Sequence, residues 1–188
     1  MRHLKQQNSQ MSLQVYTDGS CQPNPGIGGW GWVHFWENKD PLVLFSDSGG
    51  PSCKTTQNRM ELLAVLEFIK SFLDRPFRCR EIHIYSDSQY VVYTIGEGIL
   101  SLCFLKARVK YTGYAKNWVF GSTGVRKESG AAKNEDLWLE LNKILLEILN
   151  RGKERIYFHW VRGHSGNWGN SIADKLAKQA VKKLKKST

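Results

Sequence analysis

At 188 residues, 41% of them hydrophobic and seven of them tryptophan, the chain has enough apolar material to bury a core, which excludes a disordered protein. Lysine and arginine number 27 against 17 acidic residues, a formal charge of +10, which points to a polyanionic partner, either nucleic acid or an acidic membrane surface. The four cysteines, Cys21, Cys53, Cys79 and Cys103, are widely spaced and form no C-x-x-C pair, which argues against a structural zinc site or a disulfide framework. The polar stretch 1–11 lacks the apolar centre of a signal peptide, and the longest apolar runs are too short to span a bilayer. A soluble cytoplasmic protein with reduced thiols, free of the membrane, is expected.

Residues 1–11 read as a loose polar tail ahead of a single domain over 12–188. Leu13, Val15 and Thr17 alternate with Gln14, Tyr16 and Asp18, a strand pattern. A turn-rich loop, 19–29, follows, then strands over 30–36 and 42–48; their short connections predict an antiparallel meander. Leu62, Val65, Leu66, Ile69, Phe72 and Leu73 fall at helical spacing, with Thr55, Thr56 and Asn58 as candidate caps and Pro76 past the end. Ile82 and Ile84 mark a fourth strand, and a helix is predicted from Gln89. The stretch 96–132 is irregular, rich in glycine and basic residues. A helical stripe of Leu137, Leu141, Ile144, Leu145 and Ile148, a fifth strand through Ile156, Phe158 and Trp160, a polar loop over 162–170 and a final helix complete the chain. The predicted fold is α/β: a five-stranded mixed sheet flanked by helices.

Four acids fall at element ends. Asp18 closes the first strand and Asp87 follows the fourth; Glu61 lies near the start of the first helix, off its apolar stripe, and Asp174 in the first turns of the last. Singly, each has an ordinary explanation: a turn, a solvated side chain, a cap, a helix-dipole partner. Together they suit hard divalent cations such as magnesium, two of which, about 4 Å apart, can drive phosphodiester cleavage. Adjacent parallel first and fourth strands would bring Asp18 and Asp87 to one sheet edge, where helix starts could deliver Glu61 and Asp174.

The residues around these acids resemble a known family. Tyr16-Thr17-Asp18-Gly19-Ser20-Cys21, then Asn24-Pro25-Gly26 and Gly28-Gly29-Trp30-Gly31, closely resembles the opening of the type 1 ribonucleases H. Thr55-Thr56-Gln57-Asn58-Arg59-Met60-Glu61-Leu62 is similar to that family's first-helix motif, commonly T-T-N-N-R-M-E-L. Tyr85-Ser86-Asp87-Ser88-Gln89-Tyr90-Val91, Trp160-Val161-Arg162-Gly163-His164-Ser165-Gly166 and Asn170 to Ala177 match the later blocks in the same order. The resemblance implies a ribonuclease H-like fold and a largely sequence-independent endonuclease for the RNA strand of RNA–DNA hybrids, leaving 5′-phosphate and 3′-hydroxyl ends. It implies that Asp18, Glu61, Asp87 and Asp174 bind two Mg2+ ions, with Mn2+ as a substitute. Glu61 would also lie close to the RNA 2′-hydroxyl and help position the attacking water. His164 would assist proton transfer or product release. Cys21 and Asn24 would lie beside the RNA minor groove, with Asn58 and Gln89 touching bases or sugars, and Thr56, Arg59 and Asn134 would grip a phosphate of the DNA strand.

The main departure from the family lies between Gly96 and Lys116, where the chain carries extra residues before a basic protrusion. The apolar run Ile99 to Leu105 is expected to form either an added helix on the body or a partner contact. Lys106, Arg108, Lys110, Lys116, Arg126, Lys127 and Lys133 offer a surface for a nucleic-acid backbone, with Trp118 as a candidate for packing on a sugar. Asn167-Trp168-Gly169 is a further peculiarity of the last loop. A monomeric enzyme removing replication primers and transcription-derived hybrids is expected. Alternatives are the ribonuclease H domain of a viral polyprotein, a DNA-cutting enzyme of the same broad fold, and a hybrid-binding module without catalysis.

Overall fold

The structure is a computed structural model, and it describes residues 12–36, 45–51, 53–74, 79–103, 108–121, 124–152 and 154–187. The N-terminal tail and the start of the predicted third strand lie outside these residues. Strand β1 (Ser12–Cys21) pairs antiparallel with β2 (Gly28–Trp36), which pairs with β3 (Phe45–Gly49). After helix α1 (Gln57–Leu73), strand β4 (Glu81–Ser86) joins β1 in parallel and leads into helix α2 (Gln89–Ile95). Strands β5 (Gly98–Cys103) and β6 (Arg108–Lys110) follow, then a 3-10 turn at Tyr114–Asn117. A small antiparallel sheet comes next, from β7 (Val119–Phe120), β8 (Val125–Lys127) and β9 (Gly130–Ala131). Helix α3 (Glu135–Arg151), strand β10 (Arg155–Trp160), parallel to β4, and helix α4 (Trp168–Ser187) complete the order.

The fold class is as predicted, but the main sheet has seven strands, ordered β3-β2-β1-β4-β10-β5-β6, rather than five. Of the two additional strands, β5 comes from the run read as a helix or partner contact, and β6 from the basic residues that follow it. Ile99 and Leu100 pair antiparallel with Tyr157 and Ile156 of β10, and as neighbours on a strand they face opposite sides, Leu100 buried and Ile99 exposed. Strand β5, paired antiparallel to β10, covers what would otherwise be an open strand edge, and β6 pairs antiparallel with β5.

Leu13 and Val15 of β1, Ile82 and Ile84 of β4, and Ile156 and Phe158 of β10 point to one face, where α1 and α3 lay Leu62, Leu66, Ile69, Leu141 and Leu145 over them. Each such side chain, fully buried, contributes roughly 1.5–3 kcal/mol. Helix α4 crosses the opposite face over β1 and β2, burying Ala173, Ala177 and Ala180. It starts earlier than predicted: Asn167 accepts the Asn170 backbone N–H through Oδ1 (3.1 Å), so Trp168 and Gly169 belong to the helix. The cap of α1 also differs. Thr56 makes no side-chain cap bond; Asn24 Oδ1, from the β1–β2 loop, accepts the Gln57 N–H at 3.1 Å. No helix among the described residues is long and apolar enough to cross a membrane.

Candidate active site

The parallel pairing of β1 and β4 sets Asp18 and Asp87 at the same end of the sheet, as the sequence suggested. Asp18 lies within β1 rather than at its end, because the strand continues to Cys21. Glu61 comes from the second turn of α1 and is buried, not solvated. One carboxylate oxygen from each of Asp18, Glu61 and Asp87 lies within 4.8 Å of the others. Asp174, in the second turn of α4, stands beside Asp18 close enough to share a hydrogen bond, but it is outside that cluster and forms an ion pair with Lys178 at 2.7 Å.

Backbone geometry makes this convergence possible. A Cβ at Gly19 would collide with the backbone of Met60 and Glu61, so the absence of a side chain there lets α1 seat its acid against β1. The Gly19 N–H then donates to both Asp18 Oδ1 (2.8 Å) and Glu61 Oε2 (3.0 Å). On the far side, a Cβ at Gly163 would fall 2.6 Å from Asp87 Oδ2, so the loop after β10 approaches that carboxylate closely. Asn170 Nδ2 donates to Asp87 Oδ2 (3.1 Å), and Trp160 Nε1 donates to the Asp87 carbonyl (3.1 Å).

Crowding of acids in a buried place disfavours their charge. Burial, and then the charges of Asp87 and Asp174, push the Asp18 carboxyl up to about 8, against the opposing hydrogen bond from Gly19. Glu61 is raised well above the carboxylate range, first by burial and then by Asp18 and Asp87. Hard oxygen donors that repel one another this strongly fit a divalent cation, whose charge would let them ionise together.

Gln57 was not singled out from the sequence, yet it braces this centre. Its Nε2 donates to Glu61 Oε1 (2.7 Å) and to the Gly19 carbonyl (2.6 Å), and its Oε1 accepts the Cys21 N–H (2.9 Å). Its place four residues before Glu61 on a helix was the available signal.

Asn24, Thr56, Asn58 and Asn134 line one concavity with Tyr90 and Lys133. Arg59 stands outside it, its guanidinium held by both oxygens of Asp136 in the first turn of α3. Cys21 is buried, its thiol directed at the carbonyls of Pro23 (3.3 Å) and Thr55 (3.4 Å). Gln89 is exposed at the first position of α2. Trp118 is half-buried, edge-on to Trp138 with ring centroids 5.6 Å apart. His164 is exposed, on a left-handed backbone turn (φ 53°) in the loop beside Asp87.

The sequence pattern of the RNase H family matches residues 10–182. Ribonuclease H of Francisella tularensis subsp. novicida (strain U112) is 37% identical over 170 residues, 90% of this chain and 91% of that protein, and ribonuclease H of Francisella philomiragia subsp. philomiragia matches to the same extent. Among solved structures, LC9-RNase H1, a type 1 RNase H with the type 2 active-site motif, aligns with a TM-score of 0.67 at 23% identity, over 93% of this chain and 74% of that one. LC11-RNase H1 in complex with RNA/DNA hybrid gives 0.60 at 18% identity, over 91% and 97%. RNase H1 from Halobacterium salinarum NRC-1 gives 0.55 at 20% identity, over 92% and 98%. These structures share the fold, and the match across nearly the whole sequence gives the family: the chain belongs to the RNase H family and is an enzyme of the ribonuclease H class.

Proposed function

We propose that this enzyme hydrolyses the RNA strand of RNA–DNA hybrids with two bound Mg2+ ions, leaving 5′-phosphate and 3′-hydroxyl ends. The observation that carries the reading is the convergence of Asp18, Glu61 and Asp87 within 4.8 Å, with Asp174 alongside. Bound there, the ions would supply an activated water and stabilise the leaving oxygen.

The chain's own residues have separable tasks. Asp18, within β1, and Asp87, just past the end of β4, would hold the metals from the sheet. Glu61 orients the attacking water and reads the neighbouring 2′-hydroxyl, the group that separates RNA from DNA. Gln57 fixes the direction of the Glu61 carboxylate through the 2.7 Å bond. Asp174 completes the acidic set from the α4 side, and Asn170 steadies Asp87. His164, on its exposed turn beside Asp87, assists proton transfer or product release. Thr56 and Asn134 grip a phosphate of the DNA strand in the concavity that they share with Asn24 and Asn58. Cys21, Asn24, Asn58 and Gln89 lie along the minor-groove side, and Arg59, whose guanidinium is taken up by Asp136, holds α1 against α3 beside the phosphate. Trp118 packs on a sugar beside Arg108, Lys110, Lys116, Arg126, Lys127 and Lys133, which track the DNA backbone. Phosphate contacts of this kind position a duplex without reading sequence. The hybrid bound in the LC11-RNase H1 structure supports this substrate class. Residues 12–188 act as one catalytic domain, monomeric and cytoplasmic.

The test is a panel of labelled substrates in Mg2+: hybrid, duplex RNA, single-stranded RNA and duplex DNA, with end-group analysis of the products. Cutting confined to the RNA of the hybrid supports the assignment. Equal cutting of duplex DNA would move the enzyme to a DNA-cutting class, and tight hybrid binding without cutting would make it a binding module.

A further inference from the structure

Tyr90 lies on α2, outside the acidic cluster, and its hydroxyl is the centre of a closed set of hydrogen bonds. Trp138 Nε1 approaches the phenol oxygen at 2.8 Å, Asn134 Nδ2 at 3.0 Å, and the Lys133 carbonyl at 3.1 Å. An indole N–H can only donate and a carbonyl can only accept, so the single phenolic proton is committed to Lys133. The phenol can then only accept from its third partner. Asn134 must therefore present its amide nitrogen, which fixes which way round the amide stands.

The surroundings make this orientation consequential. Asn134 is held in the left-handed region (φ 57°), which places it at the turn into α3 and on the wall of the concavity shared with Asn24, Thr56, Asn58, Tyr90 and Lys133. With one amide N–H bound to Tyr90, the other is a donor available to an acceptor in that concavity. The same phenol tethers the Lys133 backbone, beside an exposed ammonium-bearing side chain. The Tyr90 ring packs on Trp138, which is fully buried, so the hydroxyl is anchored to the core rather than to the surface.

We infer that Tyr90 is a positioning residue for substrate affinity: through its hydroxyl it locks the Asn134 amide and the Lys133 backbone in the orientation that receives a phosphate of the hybrid. The inference rests on the reading of this concavity as a phosphate grip. Tyr90 itself takes no part in the chemistry, so its influence belongs in KM.

Steady-state kinetics on an RNA–DNA hybrid in Mg2+ test this, with Tyr90→Phe, Asn134→Ala, the double variant and Trp138→Phe, at a temperature where thermal melts show all of them folded. Tyr90→Phe is expected to raise KM by about 3- to 10-fold, the scale of one hydrogen bond, with kcat within about two-fold. Asn134→Ala should raise KM at least as much, and the double variant should be no worse than Asn134→Ala, because the phenol acts through the amide. Trp138→Phe removes a different donor from the same oxygen and should lower the melting temperature without moving KM. A rise in KM for Asn134→Ala with none for Tyr90→Phe would overturn the positioning role while leaving the phosphate grip standing, as would effects that multiply in the double variant. No change in KM for Asn134→Ala would remove the grip itself and the inference with it.

Discussion

Asp18→Asn should stabilise the metal-free protein while abolishing activity. In the fold the Asp18 carboxyl is pushed up to about 8, against 3.8 ordinarily. Because the folded-state value is the higher one, the folded protein holds a proton that the unfolded chain releases between those values. The stability this group lends is full below pH 3.8 and is lost as pH rises toward 8. At pH 7 the loss amounts to about 3 units at about 1.4 kcal/mol each, a ceiling of about 4 kcal/mol. Asparagine carries no charge, and its amide oxygen can still accept the Gly19 N–H that Asp18 Oδ1 accepts at 2.8 Å. Glu61 shares the same repulsion, so one substitution relieves part of the total; a gain of roughly 1–3 kcal/mol is expected, worth roughly 3–10 °C in melting temperature for a chain of this size. Urea unfolding in EDTA at pH 5, 7 and 8.5 measures it. The wild type should weaken as pH rises through this range and Asp18→Asn should weaken less. Added Mg2+ should stabilise the wild type and narrow the gap. A variant no more stable than wild type at pH 7 without metal, or a wild type that strengthens from pH 5 to 8, would refute the reasoning.

Two further substitutions probe neighbouring parts. Gln57→Ala removes the donor to Glu61 and the acceptor of the Cys21 N–H, so it should destabilise by about 1–3 kcal/mol in urea melts and raise the Mg2+ concentration needed for half-maximal cleavage. An unchanged Mg2+ requirement would leave Gln57 a purely structural brace. His164→Ala should lower kcat by about 10²-fold with little change in KM or in the urea midpoint, since the side chain is exposed; a change in KM alone would assign it to binding instead.

Much of this was legible in the sequence because the signals were periodic. The alternation in β1, β4 and β10 and the stripes of α1 and α3 gave the layers, and parallel strands at the centre brought Asp18 and Asp87 together. A solvated side chain stayed open as the ordinary alternative for Glu61, because a helical stripe describes one buried face and Glu61 lies off it. At its start α1 is enclosed by β1 and by the β1–β2 loop, which seals a second face. The run from Ile99 was too short to separate helix from strand by periodicity, and the partner that decides it, β10, is more than fifty residues away. Strands of two or three residues, such as β7 and β9, offer too few positions to show a period at all. The pairing of Arg59 with Asp136, 77 residues apart, and the bonds of Gln57 to Gly19 and Cys21 are products of the tertiary fold that no local pattern encodes.

The most direct measurement is single-turnover cleavage of a hybrid labelled on both strands, titrated with Mg2+, for the wild type beside Asp18→Asn and Asp87→Asn. The account predicts that only the RNA strand is cut, that the rate rises more steeply than first order at low Mg2+, that EDTA abolishes it, and that each variant lowers it by several orders of magnitude. Cleavage that persists in EDTA, that falls on the DNA strand, or that survives both substitutions would contradict the claim that these converging carboxylates are the catalytic metal site.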